Sequence, residues 1–405
     1  MNTPDAKSTA QRLVSVDALR GFDMFWIIGA DALVQALNRM SPTPFTRFLA
    51  TQMDHADWAG FRFYDLIFPL FLFIVGVSIV LSMDRLLATA GRKGALGRIA
   101  RRSLRLFILG IFYYGGVARA WPDVQFAGVL PRIALCYFVA ATLYVCLPRQ
   151  GIVVAAALCL AGYWALLMFV PFPDVRLEHS KVEKNQTQAQ AKAPAVLLAD
   201  VTTTVSGTLA EGHNLTHYVD FRWLPGRKRN LYYTNEGLLS TLPAVATTLL
   251  GIMAGWLLTS ARWSGHQKVA WLLASGVAGI LLGTLWGLEF PVIKRLWTSS
   301  YVLVAGGYSA VLLGVFYLVA DVWQLRAWCQ PFVWMGTNAI TIYLADNILG
   351  GFNGIAMRLV GGDVQRFADA HIEKGFGNLL IAVVGLVVAF WFVRFLYQRK
   401  IFLRV

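Results

Sequence analysis

The sequence predicts an all-α protein, a polytopic transmembrane helix bundle of about ten spans with both termini on the cytoplasmic side. Three observations lead there. Of the 405 residues, 57% are hydrophobic and only 14% charged, where a soluble domain carries about 25%. Apolar runs of roughly 20 residues, enough to cross a bilayer as a helix, recur along the chain. Basic residues gather on alternate loops, as the positive-inside rule requires.

A polar tail, 1–17, precedes the first apolar run. That run is too long for the short apolar core of a signal peptide, so it reads as a span. Expected spans are 18–37, 63–83, 103–119, 127–147, 151–171, 237–259, 268–289, 299–321, 330–350 and 377–397. Helices one to five thus fall in 18–171, and helices six to ten with the C-terminal tail in 237–405. Between them, 172–236 is polar, contains EKNQTQAQAKAP and is too long for a hairpin turn. No internal repeat stands out, which weighs against an inverted-repeat transporter.

The loop after the second span carries Arg85, Arg92, Lys93, Arg98, Arg101, Arg102 and Arg105 and is placed in the cytoplasm. Alternating from there gives 18 Lys and Arg inside and 17 outside, with Arg132 inside a span. Eight of the outside ones lie in the 172–236 loop, and long loops largely escape the rule. Without them the comparison is 18 to 9, so the 172–236 loop faces the far side.

The net charge of +14 is then a matter of topology and not a sign of nucleic acid. Cys136, Cys146, Cys159 and Cys329 lie in or beside apolar segments with no CxxC pair, and read as packing residues. No Gly-rich phosphate loop, HExxH or GxSxG occurs, which disfavours an ATPase, a zincin and a common serine hydrolase.

A charge at bilayer depth costs at least about 2.5–3.5 kcal/mol, so each one needs a partner or a wet cavity. Asp17 and Arg20 stand three apart on one helical face, either an ion pair at the interface or part of a site. Asp23 and Asp31 follow in the same span, Arg132 enters the fourth, and Asn338, Asp346 and Asn347 punctuate the ninth. Asp65 and Glu236 begin spans, where a carboxylate also favours the helix dipole. His55 sits between Asp54 and Asp57 at the mouth of the second span. Imidazole titrates near neutrality, and a neighbouring carboxylate orients it for proton transfer. Arg98, Arg101, Arg102 and Arg105 recur at helical spacing. They serve topology, or they dock a phosphate-rich cytoplasmic ligand.

RLVSVDALRGFDMF, HADWAGFRFYDLIFPLFLFIVGVSIVLSM, GVLPRIALCYF, YYTNEGLLSTLPAVATTLLGIMAG, LWTSSYVLVAGG and the terminal RKIFLRV resemble, in order, blocks of the heparan-α-glucosaminide N-acetyltransferase family. The chain looks like a bacterial, NagX-like member. The resemblance implies a multi-pass protein of the bacterial inner membrane that moves acetyl from cytoplasmic acetyl-CoA, a co-substrate, to the amine of glucosamine or a related sugar on the periplasmic side. No metal is implied. It carries the family's histidine over to His55 and its following acid to Asp65, with Asp17 and Arg20 as further site candidates. Glu236 and Trp297, Thr298, Ser299 and Ser300 match other blocks, whereas Pro131 departs from the glutamine that relatives often carry beside Arg132.

The catalytic set is therefore expected to be His55, Asp65, Asp54 and Asp57. His55 serves as general base or as transient acetyl carrier, with the orienting acid left open among the three. Expected at the acetyl-CoA site are Asp17, Arg20, Arg98, Arg102, Arg105 and Arg132. Expected at the amino sugar are Glu236, Trp297, Ser299 and Asn338, with Asn338 or the Ser299–Ser300 hydroxyls as oxyanion donors. An amino-sugar permease is the alternative, although it has no need of a base at His55. His213 and His217 in the long loop lack a third ligand for a metal, so the loop reads as an acceptor-binding flap or a solvated segment. A homodimer is the default assembly.

Overall fold

The computed structural model describes residues 13–177, 198 and 201–403. Most of the expected N-terminal tail, the EKNQTQAQAKAP stretch and Arg404 lie outside the described residues. The chain forms a helix bundle: α1 (Val14–Phe25), α2 (Asp31–Met40), α3 (Pro44–Gln52), α4 (Phe63–Tyr113), α5 (Val129–Cys146) and α6 (Arg149–Phe169). After a small folded segment come α8 (Thr241–Thr259), α9 (Gly265–Trp286), α10 (Ser299–Tyr317), α11 (Gln330–Thr337), α12 (Ala339–Ile348), α13 (Phe352–Val360), α14 (Asp363–His371) and α15 (Phe376–Gln398).

Seven helices among the described residues are long and apolar enough to cross a membrane. The first, α4, covers two expected spans and is broken at Gly91, whose φ of 62° needs a residue without Cβ. Expected spans 18–37 and 330–350 are helical but not continuous. The first turns through a π-helical segment with Gly29 at φ 145°, and the ninth breaks at Asn338. Interruptions of this kind sit in protein at membrane depth where they line a cavity.

α1 crosses α11 at backbone distance. A Cβ on Gly21 would come within 1.7 Å of the Phe332 carbonyl oxygen, and one on Gly336 within 1.8 Å of the Asp17 carbonyl oxygen. Gly76 and Gly251 bring α4 and α8 together in the same way, as small residues do between membrane helices. The main core runs through α4, α5, α8 and α10, with Leu70, Val77, Leu249, Ile252, Tyr301 and Ala305 fully buried.

The described residues of 172–236 form a small folded unit. β1 (Phe172–Pro173) pairs antiparallel with β2 (Thr204–Val205), and β3 (Leu209–Ala210) with β4 (His213–Asn214). Helix α7 (Leu215–Trp223) follows, capped by the Asn214 side chain accepting from the His217 N–H. Val175, Leu177, Phe221, Tyr232 and Tyr233 form its own small core. Asp220 accepts the N–H groups of Leu238 and Thr234 and so ties the subdomain to the start of α8.

Candidate functional site

The chain between α3 and α4 is short, and its backbone is spoken for by side chains. Gln52 accepts the Phe63 N–H at 3.0 Å, and Arg62 Nη1 donates to the His55 carbonyl at 2.7 Å. Asp65, in the first turn of α4, accepts the N–H groups of Ala56 and Arg62 on Oδ2, at 3.2 and 3.1 Å. Its Oδ1 lies 2.9 Å from His55 Nδ1. Of the three acids open in the sequence, Asp65 is thus the one that meets the imidazole. Asp54 is exposed and accepts from Gln35 at 3.3 Å, and Asp57 is exposed.

We assign the imidazole proton to Nδ1, facing Asp65, which leaves Nε2 with its lone pair. The His55 side chain is 49% exposed while Asp65 is wholly buried. The pair therefore presents a fixed base to solvent. The Tyr64 ring, 5.0 Å away between centroids, flanks the imidazole.

A residue not singled out in the sequence completes the cluster. Lys294 Nζ stands 2.9 Å from His55 Nδ1, 3.4 Å from Nε2 and 3.4 Å from Asp65 Oδ1. Because Nδ1 carries its proton toward Asp65, the 2.9 Å approach is a close contact between two groups competing for one carboxylate. Burial pulls the lysine down to about 8, against the opposing pull of Asp65 and Glu236. Only its position just before LWTSS was available as a signal.

That block explains how Lys294 is held. Trp297 adopts φ 56° and its N–H donates to the Lys294 carbonyl at 2.9 Å. Thr298 Oγ1 accepts the Ile293 N–H and donates to the Pro291 carbonyl. Trp297 and Ser299, expected at the acceptor, are 1% and 0% exposed. Trp297 Nε1 donates to Thr247 and Ser299 Oγ to the Leu160 carbonyl, so both are spent inside the protein. Ser300, an expected oxyanion donor, is equally buried and donates to Pro291.

Arg132 is buried with its guanidinium over the Trp297 ring, 5.0 Å from the centroid. It donates to the Gly237 carbonyl and to Ser240 Oγ. Glu236 accepts from Thr234 Oγ1 and acts electrostatically on Lys294 and Arg132. Tyr301, from α10, donates to the Asp65 backbone carbonyl at 2.7 Å.

The expected acetyl-CoA residues divide. Arg20 and Arg102 line a cavity of about 360 Å³ bounded by α1, α4, α5 and the Asn338 break. Arg20 donates to Ser78 Oγ at 2.7 Å and pairs with Asp17 at 3.5 Å. The Arg102 guanidinium lies 4.6 Å from the centre of the Tyr137 ring, and Asn338 lines the cavity with Oδ1 lacking a hydrogen-bond partner among the described residues. Arg98 and Arg105 are exposed and do not line it, although each stands about one helical turn from Arg102. Arg132 belongs to the other end. A smaller pocket shares Phe71, Leu130, Ile133, Ala339 and Ile340 with the cavity and continues to Phe68, one helical turn from Asp65. In the long loop, His213 meets Asp174 at 2.7 Å and His217 is buried against Tyr233, and no metal-holding group of acids, His and Cys occurs among the described residues.

The family described as heparan-alpha-glucosaminide N-acetyltransferase, catalytic, matches residues 12–177. This stretch carries His55, Asp65, Arg20 and Arg102. Over this stretch and beyond it the chain resembles that family. It is 27% identical over 400 residues to the human heparan-alpha-glucosaminide N-acetyltransferase, covering 87% of the chain and 55% of the relative. The mouse protein of the same name is 26% identical over 448 residues, covering 98% of the chain and 61% of the relative. The chain therefore spans rather more than half the length of these relatives.

Proposed function

We propose that this protein is a membrane N-acetyltransferase that moves acetyl from cytoplasmic acetyl-CoA to the amine of glucosamine or a related amino sugar on the periplasmic side of a bacterial inner membrane. The observation that carries this reading is the arrangement along α4. An oriented imidazole stands at its start, and a cavity with Arg20 and Arg102 lies further along, from which a narrower pocket continues toward this end as far as Phe68, one helical turn from Asp65. Acetyl-CoA is charged by its phosphates and does not cross a bilayer, so a fixed site must be reached from both faces.

The two arginines suit a phosphate-bearing donor, and the apolar stretch beyond them suits its thioester arm. At the other end, an ammonium is not a nucleophile. His55 Nε2 takes the proton of the acceptor amine, and Asp65 holds the imidazolium that forms. Because Nδ1 is engaged by Asp65, Nε2 is also the atom that would carry acetyl in a two-step path. Glu236, whose charge acts on Lys294, is the acid we assign to the amino sugar.

The test is transfer of labelled acetyl from acetyl-CoA to glucosamine by purified protein, beside a folded His55→Ala variant. Transfer by the parent and a loss of about 10³-fold in the variant is the expected outcome. Parent protein that binds acetyl-CoA yet transfers to no amino sugar would refute the acceptor, and no binding would refute the enzyme.

A further inference from the structure

His55, Asp65 and Lys294 form one contact cluster, but the transfer as described uses only the first two. His55 removes the amine proton, and nothing yet protonates the sulfur that leaves. Lys294 carries a proton within 3.4 Å of both the His55 ring nitrogens and the Asp65 carboxylate.

Resting on the acetyltransferase reading, we propose that Lys294 is a catalytic residue, the general acid that protonates the departing thiolate, and that His55 recharges it. The acceptor nitrogen forms its bond to the acetyl carbon as the carbon–sulfur bond breaks. The amine proton passes to His55 Nε2, and a proton from Lys294 Nζ passes to sulfur, giving the free thiol. The imidazolium then returns its Nε2 proton to the neutral Nζ, 3.4 Å away, and both groups end as they began. Nδ1 keeps its proton on Asp65 throughout.

Two features of the surroundings fit this role. The turn fixed by Trp297 and Thr298 aims Lys294 at the cluster and leaves its side chain only 15% exposed, so it is not a solvated surface lysine. The charges facing it are Asp65 from α4 and Glu236 from the turn before α8, which hold the proton on, and Arg229 from the subdomain, which pushes it off; burial pushes hardest. The resulting value of about 8 lies close to that of an alkyl thiol, about 8.5. An acid matched to its leaving group transfers a proton readily in both directions.

The competing account is that Lys294 only anchors Asp65 as an ion pair. Two acetyl donors separate them, used with the full-length protein in detergent: acetyl-CoA, and the acetyl thioester of an acidic aryl thiol that needs no proton to leave. With acetyl-CoA, Lys294→Met and Lys294→Arg should both lose about 10²-fold in kcat, while with the aryl thioester both should stay within roughly threefold of the parent. The parent should lose kcat above pH 8 with acetyl-CoA and keep it with the aryl donor. Restoration of acetyl-CoA turnover by arginine, which keeps its charge but does not give up a proton, would overturn the proposal. Equal losses with both donors would overturn it too. A parent inert with both donors would instead defeat the acetyltransferase reading on which this one stands.

Discussion

The two ends of the α4 site are built to opposite plans. At the His55 end the central carboxylate is already committed. Asp65 meets two backbone N–H groups, an imidazole and an ammonium while fully buried, and Tyr301 holds its backbone. At the Arg102 end there is open volume, about 360 Å³ of it, with Asn338 Oδ1 and Arg102 Nε lacking hydrogen-bond partners among the described residues. Rate comes from polar groups that need no rearrangement when charge develops. Binding of a large polar molecule needs room and unspent donors and acceptors. On the proposed function, the first end suits chemistry and the second suits capture of the donor.

The contrast can be broken most forcefully at Asp65. Asp65→Asn keeps the shape but presents no full negative charge and disturbs the tautomer of His55. It should lower kcat by about 10²–10³-fold with donor KM little changed. A large rise in donor KM instead would mean the two ends are not separable. Arg102→Ala should do the reverse, raising donor KM by about tenfold with kcat nearly intact, as expected for loss of a charged contact worth ~1.4 kcal/mol; steady-state kinetics with varied acetyl-CoA reads both. Gly336→Ala sharpens the comparison from the side of packing. Its methyl would meet the Asp17 carbonyl at 1.8 Å, so α1 and α11 must part at a cost of ~1–3 kcal/mol. Thermal stability should fall and donor KM rise, with the His55 end spared.

The smallest effect concerns the subdomain that covers the His55 end. Burial raises Asp220 to about 7 from 3.8 and lowers His217 to about 3 from 6.5. Between about 4 and 6.5 the folded state holds a proton on Asp220 that the unfolded state has lost, so that residue makes stability fall as pH rises. Over the same range the unfolded state protonates His217 and the folded state does not, so that residue makes stability rise with pH. The two slopes oppose each other, and resistance of the subdomain to proteolysis should be nearly flat there. His217→Gln should unmask a decline from pH 4 to 7; a profile still flat in that variant would show that Asp220 is not protonated in the fold.

Much of this was legible in the sequence, for reasons that differ by residue. Apolar length announces α5, α6, α8, α9, α10 and α15 directly, because lipid demands it. His55 and Asp65 are ten residues apart, and a span that starts with an acid after a polar loop brings them together by local geometry. Lys294 was not legible, since 239 residues separate it from His55 and no local pattern reports so distant a contact. LWTSS stood out as a motif, but burial of Trp297 and Ser299 shows that a distinctive block is often distinctive for what it supports. The breaks at Gly91 and Asn338 also escaped, because hydropathy continues across a change in backbone direction. The small core among the described residues of 172–236 was hidden by a polar composition whose apolar residues, Val175, Phe221 and Tyr233 among them, are scattered in sequence and gathered only by the fold.

The distance between His55 and Lys294 also bears on how the protein is made. The stretch matching the family's catalytic region ends at 177, yet Lys294, Trp297 and Tyr301 come from well beyond it. During synthesis the first five long helices can enter the bilayer with His55 already in place while its basic neighbour is still untranslated. A nascent or prematurely terminated chain would thus hold an imidazole–carboxylate pair with no lysine and, on the role proposed for Lys294, would lack its acid until the chain beyond α9 is made.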